Sequence, residues 1–202
     1  MLVVALTGGL GAGKSMVASA MREKGATVLD LDDIARQLLE DDPTLATRIA
    51  AEFPTAARPD GSLDRDALAW AAFGSTKSAE RLNAIVHPAI AAEVGPALAE
   101  LRLMPAPPQV VVIEIPLLVE APVFAELVDV VLAVEAPEEV RIRRAVEAGM
   151  SLEDAQNRVA CQASDEERRT LADTVIENVG DADALRRQVD ATWESAIAPH
   201  VG

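Results

Sequence analysis

Aromatic residues are nearly absent from this chain of 202 residues. It has no tyrosine, two tryptophans and three phenylalanines, so it lacks the stacking platforms that most single-strand nucleic-acid binders use. Lysine and arginine number 18 against 33 acidic residues, which gives a formal net charge of −15. Nucleic acids and anionic membranes are bound by clustered basic side chains, so this balance argues against both as partners.

Cysteine and long apolar runs are also scarce. The single cysteine, Cys161, cannot form an internal disulfide, which agrees with a reducing cytosol. The N-terminal apolar run, residues 2–6, is too short for the apolar part of a signal peptide or for a membrane span. We therefore expect a soluble cytoplasmic protein. A monomer or a weak homo-oligomer is expected as well, although not on these grounds.

What is present is enough for a sizeable core. Half of the residues are apolar and a quarter are charged, as in folded domains. Short β-branched runs alternate with longer helical patterns, which is typical of a parallel sheet covered by helices. A first helix is expected from about Lys14 to Lys24. Strands are predicted over residues 2–6, 27–29, 109–115, 128–134 and 174–176.

Two stretches interrupt this alternation and predict helical insertions. Residues 34–104 are rich in alanine and leucine, lack a strand pattern, and carry helix breakers that include Pro88. Residues 137–170 resemble an arginine-rich helical hairpin, with Pro137 in its first turn and a restart capped by Ser151. The predicted class is an α/β fold with about five parallel strands and helices on both faces. Its predicted parts are a nucleotide-binding core (1–33, 105–136 and 171–202), an acceptor-binding insertion (34–104) and a lid (137–170).

A glycine-rich segment lies directly between the first strand and the first helix. Residues 8–15 match the G-x-x-x-x-G-K-[ST] pattern of phosphate-binding loops. Glycines let consecutive backbone N–H groups turn toward an anion, and the helix N-terminus adds partial positive charge. In this pattern Lys14 reaches the β- and γ-phosphates, and the Ser15 hydroxyl ligates Mg²⁺. The expected ATP-binding residues of the loop are Gly8, Gly9, Gly11, Ala12, Gly13, Lys14, Ser15 and Met16, with Lys14 also catalytic.

Three classes of phosphate-loop protein compete: a small-molecule kinase, a GTPase-type switch and an ATPase that moves partners. The chain has no Asn-Lys-x-Asp tetrapeptide for reading guanine, and Gly9 stands where partition-type ATPases carry a second lysine. A kinase explains both insertions, because one would grip the acceptor and the other would close over ATP and exclude water. The residues alone therefore predict a P-loop kinase, with the partner-moving ATPase as the alternative.

Five segments, in order, resemble the dephospho-coenzyme A kinase family. They are residues 6–15, residues 28–36 (similar to the family's D-x-D-x-x-A-R), residues 82–88 (LNAIVHP), residues 115–120 (IPLLVE), and Gln162 with residues 172–180. The resemblance implies phosphorylation of the ribose 3′-hydroxyl of dephospho-CoA by ATP, with Mg²⁺, as the last step of coenzyme A biosynthesis. It also implies a P-loop core with a helical CoA-binding domain and a lid. Kinases of other small acceptors remain the alternative.

The acceptor side of the predicted site centres on Asp32. This residue follows the second strand, where its carboxylate would accept the proton of the acceptor hydroxyl and orient the oxygen. The alternative is a helix N-cap. Arg36 lies one helical turn further on, so both side chains can face one cleft. The resemblance implies that Arg36 and His87 contact the acceptor, and Leu117, after the third strand, is expected to line its pocket.

Two acidic residues at strand ends are candidates for holding Mg²⁺ through water, in addition to Ser15. They are Asp30 and Glu114, and strand alternation should point Asp30 the same way as Asp32. Asn178 follows the last strand and resembles the family's Asn-x-Gly, where adenine is held. Its alternative is a simple turn residue.

Three arginines are crowded into the helix after residue 137. Arg143 and Arg144 are the candidate catalytic pair, because a lid arginine neutralises charge on the transferred phosphoryl group. They project about 100° apart, so we expect only one to face a phosphate. Arg141 is expected to contribute little. The usual lid of the family carries a further arginine about four residues on, whereas this chain has Glu147, so a solvated helix with paired charges is the alternative.

Overall fold

A five-stranded parallel sheet forms the centre of the fold. The computed structural model describes residues 1–201. The order across the sheet is β2-β3-β1-β4-β5, and each neighbouring pair is parallel. The predicted α/β class with about five strands is therefore confirmed. The strands are β1 (Leu2–Thr7), β2 (Thr27–Asp30), β3 (Val110–Glu114), β4 (Val130–Glu135) and β5 (Thr174–Glu177).

The three middle strands are apolar because both of their faces are covered. Every residue of β1, β3 and β4 is buried, which is why their sequences read as continuous Val, Ile and Leu runs rather than as alternating patterns. The edge strands β2 and β5 are shorter and only partly buried. Polar groups are therefore concentrated where strands end, at Thr7, Glu114 and Glu135, which are themselves buried.

Helices follow the strands and begin, in several cases, at a side-chain cap. Asp42, Asp64, Ser151, Ser164 and Asp181 each accept a hydrogen bond from a backbone N–H of the first turn of the following helix, which satisfies a donor that the helix leaves unpaired. The α-helices are α1 (Lys14–Glu23), α2 (Leu31–Asp41), α3 (Pro43–Glu52), α4 (Arg65–Phe73), α5 (Thr76–Leu103), α6 (Glu138–Glu147), α7 (Leu152–Ala160), α8 (Asp165–Leu171) and α9 (Ala182–Thr192).

The chain divides into two compact units. One comprises Met1–Asp30 and the chain from Leu98 onward, with the sheet, α1 and α6–α9, and the other is Leu31–Ala97, with α2–α4 and most of α5. The predicted core segment 171–202 ends on a residue outside the described range. The functional roles predicted for 34–104 and 137–170 remain predictions, and residues 137–170 belong to the unit that holds the sheet.

The second unit has its own packing. Arg81 lies over the ring of Phe53, 5.7 Å from its centroid, and forms an ion pair with Glu52 at 2.8 Å. A cavity of about 630 Å³ is bordered by residues of α2–α4 and of the loop before α4, Arg58 and Arg65 among them.

Three local predictions are wrong. The expected break at Pro88 does not occur, because α5 continues through both Pro88 and Pro96. A proline removes one hydrogen bond and strains the helix, yet one stripe of α5 is buried at four-residue spacing: Val86, Ile90, Val94 and Leu98. We attribute the continuous helix to this burial, since tertiary packing overrides a local preference.

The other two concern helix boundaries. Residues 137–170 form three helices rather than a hairpin, because Ser164 and Glu167 make a capping box that starts α8. Helix α2 begins at Leu31, so Asp32 lies inside its first turn and is not an N-cap. Strand alternation therefore ends at Asp30 and does not relate the direction of its side chain to that of Asp32.

Helix α5 is also the one helix of residues 1–201 that is long and apolar enough to cross a membrane. It has 28 residues, and its most apolar window has a mean hydropathy of 1.2 with 17% of that window buried. Length and composition are the only grounds for this match, and a helix of a protein that never meets a membrane can share both.

Candidate active site

The phosphate loop follows β1 at the carboxyl edge of the sheet, as its sequence predicts. Gly11 and Gly13 have φ values of 71° and 102°, in the left-handed region that favours glycine. Gly13 is the N-cap of α1, which begins at Lys14. The Lys14 ammonium donates to the carbonyl oxygens of Gly8 at 2.8 Å and Gly9 at 3.2 Å. Ser15 and Met16 are exposed in the first turn of α1.

Arg144 and Asn178 both reach this loop. The Arg144 guanidinium donates to the carbonyl oxygens of Gly11 at 3.4 Å and Ala12 at 3.5 Å, and to the backbone and side-chain oxygens of Asn178 at 3.3 and 3.4 Å. The buried Asn178 amide donates to the Ala12 carbonyl at 2.8 Å. A Cβ added to Gly13 would lie 2.2 Å from that amide nitrogen, so glycine is required there for the close approach.

Arg143 does not approach the loop. Its side chain is 66% exposed, and its contact is an ion pair with Glu147 at 3.8 Å along the same helix. Of the two predicted lid arginines, the structure therefore brings only Arg144 to the phosphate loop.

Arg141, which is predicted to contribute little to the reaction, lies against the phosphate loop, and its contribution to the rate stays a prediction. Its side chain is 4% exposed. Its Nε atom donates to the Ala136 carbonyl at 3.0 Å, and its Nη2 atom donates to Asp165 at 3.1 Å. A Cβ added to Gly9 would lie 2.1 Å from Arg141 Nη1, so this guanidinium rests directly on the loop. Sequence spacing along α6 could not reveal this, because the partners that orient Arg141 belong to other elements.

A buried ion pair next to Arg141 was missed by the sequence analysis. Arg168 of α8 donates to Glu135, the last residue of β4, at 2.9 Å, and each side chain is 3% exposed. Arg168 also donates to the Ala163 carbonyl and to Asp165. Burial raises the pKa of Glu135, against the opposing effect of the Arg168 charge. The sequence feature that could have indicated this pair is Glu135 itself, an acidic residue at the end of an otherwise apolar strand.

Two further contacts hold the α7–α8 connection to the core. The Gln162 side-chain oxygen accepts a hydrogen bond from the Leu10 N–H at 2.9 Å, and Glu120 accepts one from the Ala163 N–H at 2.7 Å. Residues 137–170 therefore lie on the phosphate loop at several points.

Asp30 and Glu114, the two acidic residues predicted to hold a metal ion through water, lie on adjacent strands. Asp30 is paired in register with Glu114 on the adjacent strand, and Glu114 is paired with Leu6 of β1. Within residues 1–201 there is no cluster of three or more His, Cys, Asp or Glu side chains that could hold a metal ion. A metal at this edge would therefore depend on the nucleotide and on water for much of its coordination, as Mg²⁺ commonly does.

Most of the predicted acceptor-binding residues lie in the Leu31–Ala97 unit. Asp32 and Arg36 are exposed on α2, where Arg36 forms an ion pair with Asp33. His87 lies within α5 and is partly buried, which lowers its pKa below the ordinary histidine value. Leu117 is half-buried after β3, in the unit that holds the sheet.

A model of the dephospho-CoA kinase family matches residues 2–184. The chain belongs to the dephospho-CoA kinase family. The predicted family and enzyme class, a phosphotransferase of coenzyme A biosynthesis, are thereby confirmed, and the family's reaction is the ATP-dependent phosphorylation of dephospho-CoA.

Curated dephospho-CoA kinases resemble the chain along nearly its whole length. The protein from Mycolicibacterium paratuberculosis is 43% identical over 98% of this chain, which spans 48% of that longer protein. The protein from Corynebacterium jeikeium is 40% identical over 96% of this chain and 98% of its own length. The chain thus spans about half the length of the mycobacterial kinase and nearly all of the corynebacterial one.

Solved structures share the fold of this chain. The structure of TT1252 from Thermus thermophilus superposes with a TM-score of 0.75 at 35% identity, covering 96% of this chain and 97% of that one. A shikimate kinase from Acinetobacter baumannii shares the fold, with a TM-score of 0.58 at 14% identity over 100% of this chain and 96% of its own. The fold is that of P-loop kinases.

Alanine substitutions of the two predicted lid arginines in this member of the dephospho-CoA kinase family should have different effects on activity. We expect Arg144→Ala to lower kcat/KM for ATP by about tenfold or more, because it removes a cation from the loop. Arg143→Ala is the matched control and should stay within about twofold, since its partner is a solvated glutamate. Steady-state kinetics with varied ATP measure both. Equal losses in the two variants would contradict this assignment.

The environment of His87 predicts a pH dependence of stability. Because the pKa of His87 is lowered in the folded chain, the unfolded chain binds a proton more readily below about pH 6.5. The contribution of neutral His87 to the free energy of unfolding is therefore complete above that pH and is lost as the pH falls. Thermal unfolding at pH 7.5 and 5.5 should show a larger drop in Tm for the wild type than for His87→Gln. His200→Gln, which changes the exposed second histidine, should behave like the wild type.

Proposed function

We propose that this chain transfers the γ-phosphoryl group of ATP to the ribose 3′-hydroxyl of dephospho-CoA, giving coenzyme A and ADP. The observation that carries the proposal is the placement of arginines from α6 and α8 on a phosphate loop of the dephospho-CoA kinase family. Cationic side chains that cover such a loop stabilise the charge of a phosphoryl group in transfer and exclude water.

Nucleotide binding would use the loop and the residues that already contact it. Backbone N–H groups of residues 8–15 would cradle the phosphates, and Lys14 would exchange its bonds to the Gly8 and Gly9 carbonyls for bonds to the β- and γ-phosphates. Asn178, which is buried against Ala12, would hold the adenine side.

Binding and activation of the acceptor would fall to Asp32 and its neighbours. The exposed position of Asp32 in the first turn of α2 leaves its carboxylate accessible to a hydroxyl group, and in phosphoryl transfer such a base acts mainly by orienting the nucleophile. Arg36 offers an exposed cation on the same helix one turn later. With His87 and Leu117, these residues would bind the acceptor, and residues 34–104 would form the acceptor-binding insertion.

Mg²⁺ would neutralise charge on the β- and γ-phosphates when bound with ATP. Ser15 carries the hydroxyl that ligates the metal in this loop pattern, and the register pairing of Asp30 with Glu114 supports these two acids as partners for metal-bound water. We further propose that residues 137–170 act as the lid, and that the chain is a soluble cytoplasmic enzyme, monomeric or weakly self-associating, with ATP and dephospho-CoA as its partners rather than nucleic acid or membrane.

An assay of ADP release with a panel of acceptors tests the function. ATP and Mg²⁺ are supplied with dephospho-CoA, adenosine, pantetheine or shikimate, and only dephospho-CoA should support turnover. Turnover with another acceptor alone would leave a P-loop kinase of different specificity. ADP release that is independent of every acceptor would instead indicate an ATPase.

Removal of the loop lysine should abolish most of the activity. We expect Lys14→Ala to lower turnover by at least about 10²-fold, because one electrostatic stabiliser of the transferring phosphate is lost. Lys77→Ala is the matched control, since Lys77 is exposed on α5, and it should leave the rate unchanged. A Lys14→Ala enzyme within a fewfold of the wild type would contradict the phosphate-loop assignment.

Neutralising the base should act on the chemical step. Asp32→Asn keeps the shape of the side chain and its ability to bond the hydroxyl, but it cannot accept the proton, so kcat should fall while KM for the acceptor stays within a fewfold. Asp41→Asn, at the far end of α2, controls for the loss of a charge from this helix. If Asp30→Asn damaged kcat far more than Asp32→Asn, Asp30 would be the base.

A further inference from the structure

Arg141 and Arg168 meet on a single carboxylate oxygen. Arg141 Nη2 and Arg168 Nη2 both donate to Asp165 Oδ1. Asp165 is half-exposed, whereas each guanidinium is almost completely buried. One shared negative charge therefore keeps two buried cations side by side, and it fixes the position of one relative to the other.

The two guanidiniums meet at Gly9. A Cβ there would lie 2.1 Å from Arg141 Nη1 and 3.4 Å from Arg168 Nη2. With Nε on the Ala136 carbonyl and Nη2 on Asp165, Nη1 is the remaining end of the Arg141 fork, and among residues 1–201 it donates no hydrogen bond to protein. This is a donor held in place beside the loop.

This end of the loop is also where the Lys14 ammonium lies. Lys14 Nζ is 3.2 Å from the Gly9 carbonyl oxygen, and the lysine of this loop pattern serves the β- and γ-phosphates. Arg144 instead touches Gly11, Ala12 and Asn178, on the side of the loop next to α1. Arg141 Nη1 and Lys14 Nζ thus both lie beside Gly9, at the end of the loop that serves the β- and γ-phosphates in this pattern.

Arg168 lies beside the loop but makes its hydrogen bonds to the sheet and to its own helix region. Its Nε bonds Glu135, which ends β4, and both side chains are 3% exposed. We propose that Arg168 is a positioning residue: anchored on Glu135, it holds the Arg141 guanidinium through Asp165 at the β/γ-phosphate end of the loop, where Arg141 binds the transferred phosphoryl group. The inference rests on the proposed kinase reaction and adds to it the residue that meets the phosphate and the one that sets its geometry.

Substitution of Asp165 removes the carboxylate that joins Arg141 to Arg168 and leaves the buried Glu135–Arg168 ion pair in place. Asp165→Ala removes the shared acceptor, and Asp165→Asn retains an oxygen acceptor without the charge. Glu166→Ala is the matched control, because Glu166 also lies in the acidic first turn of α8 and is exposed. We expect kcat to fall by about five- to tenfold in Asp165→Ala, by less in Asp165→Asn, and not at all in Glu166→Ala, with KM for dephospho-CoA unchanged.

A double-mutant cycle separates positioning from mere support of the fold. Arg141→Ala should lower kcat by about 10- to 100-fold. Adding Asp165→Ala to Arg141→Ala should then cost less than about twofold, because the arginine through which Asp165 acts is already gone. Arg168→Lys keeps a cation for Glu135 but loses the planar fork, and it should match Asp165→Ala in kcat. Thermal unfolding shows whether each variant is folded.

The outcomes distinguish this inference from the function on which it rests. Independent, multiplying losses in the double mutant, or equal rates for Asp165→Ala and Glu166→Ala, would overturn the positioning role while wild-type turnover of dephospho-CoA stands. A full rate in Arg141→Ala would overturn the phosphate contact. A wild-type chain that releases no ADP with dephospho-CoA would overturn the proposed function, and the positioning role would fall with it.

Discussion

The buried pair of Glu135 and Arg168 connects the sheet to the helices that cover the phosphate loop. Taking two charges out of water is costly, and their attraction offsets that cost only where the remaining polar atoms are also satisfied. Arg168 meets this condition through Ala163 and Asp165, but Glu135 Oε2 has no partner within the described chain. We interpret the pair as a device that fixes geometry rather than as a source of stability.

Basic side chains lie together around the phosphate loop, although the chain as a whole is acidic. The chain carries a formal charge of −15, which alone would repel a nucleoside triphosphate. Arg141, Arg144 and Arg168 nevertheless lie together around the loop that contains Lys14. A polyanion is attracted by this cluster over the short range that salt screening leaves open. The acidic remainder of the surface agrees with the proposal that the partner is a small phosphate compound rather than a nucleic acid.

Much of the fold was predictable because its signals are local. Apolar runs marked the strands, and the G-x-x-x-x-G-K-[ST] pattern marked the loop between β1 and α1. The strand order was not predictable, since β3 inserts between β1 and β2 only after a long helical excursion. The continuity of α5 through Pro88 escaped prediction for a related reason: a buried stripe stabilises the helix against a local breaker.

In the candidate site, too, the residues with local sequence signals were predicted and those placed by distant contacts were not. Lys14, Ser15 and Asn178 were predicted from short motifs, and the structure places Lys14 and Asn178 in contact with the loop backbone. The contact of Arg141 with the loop was not predicted, because its orientation depends on Ala136 and on Asp165, 24 residues further along the chain. No spacing rule within α6 encodes such a contact, and charge counting treats all three arginines of that helix alike.

Helical geometry explains how α6 divides its arginines. Residues three apart lie on nearly the same face of a helix, whereas adjacent residues diverge by about 100°. Arg141 and Arg144 therefore face the loop together, and Arg143 turns to solvent, where Glu147 pairs with it. The family resemblance led us to expect a further arginine about four residues on, at a position that Glu147 occupies in this chain. The phosphate loop keeps two arginines from α6 nonetheless, because the second is supplied from position 141 and is held there by a carboxylate of α8.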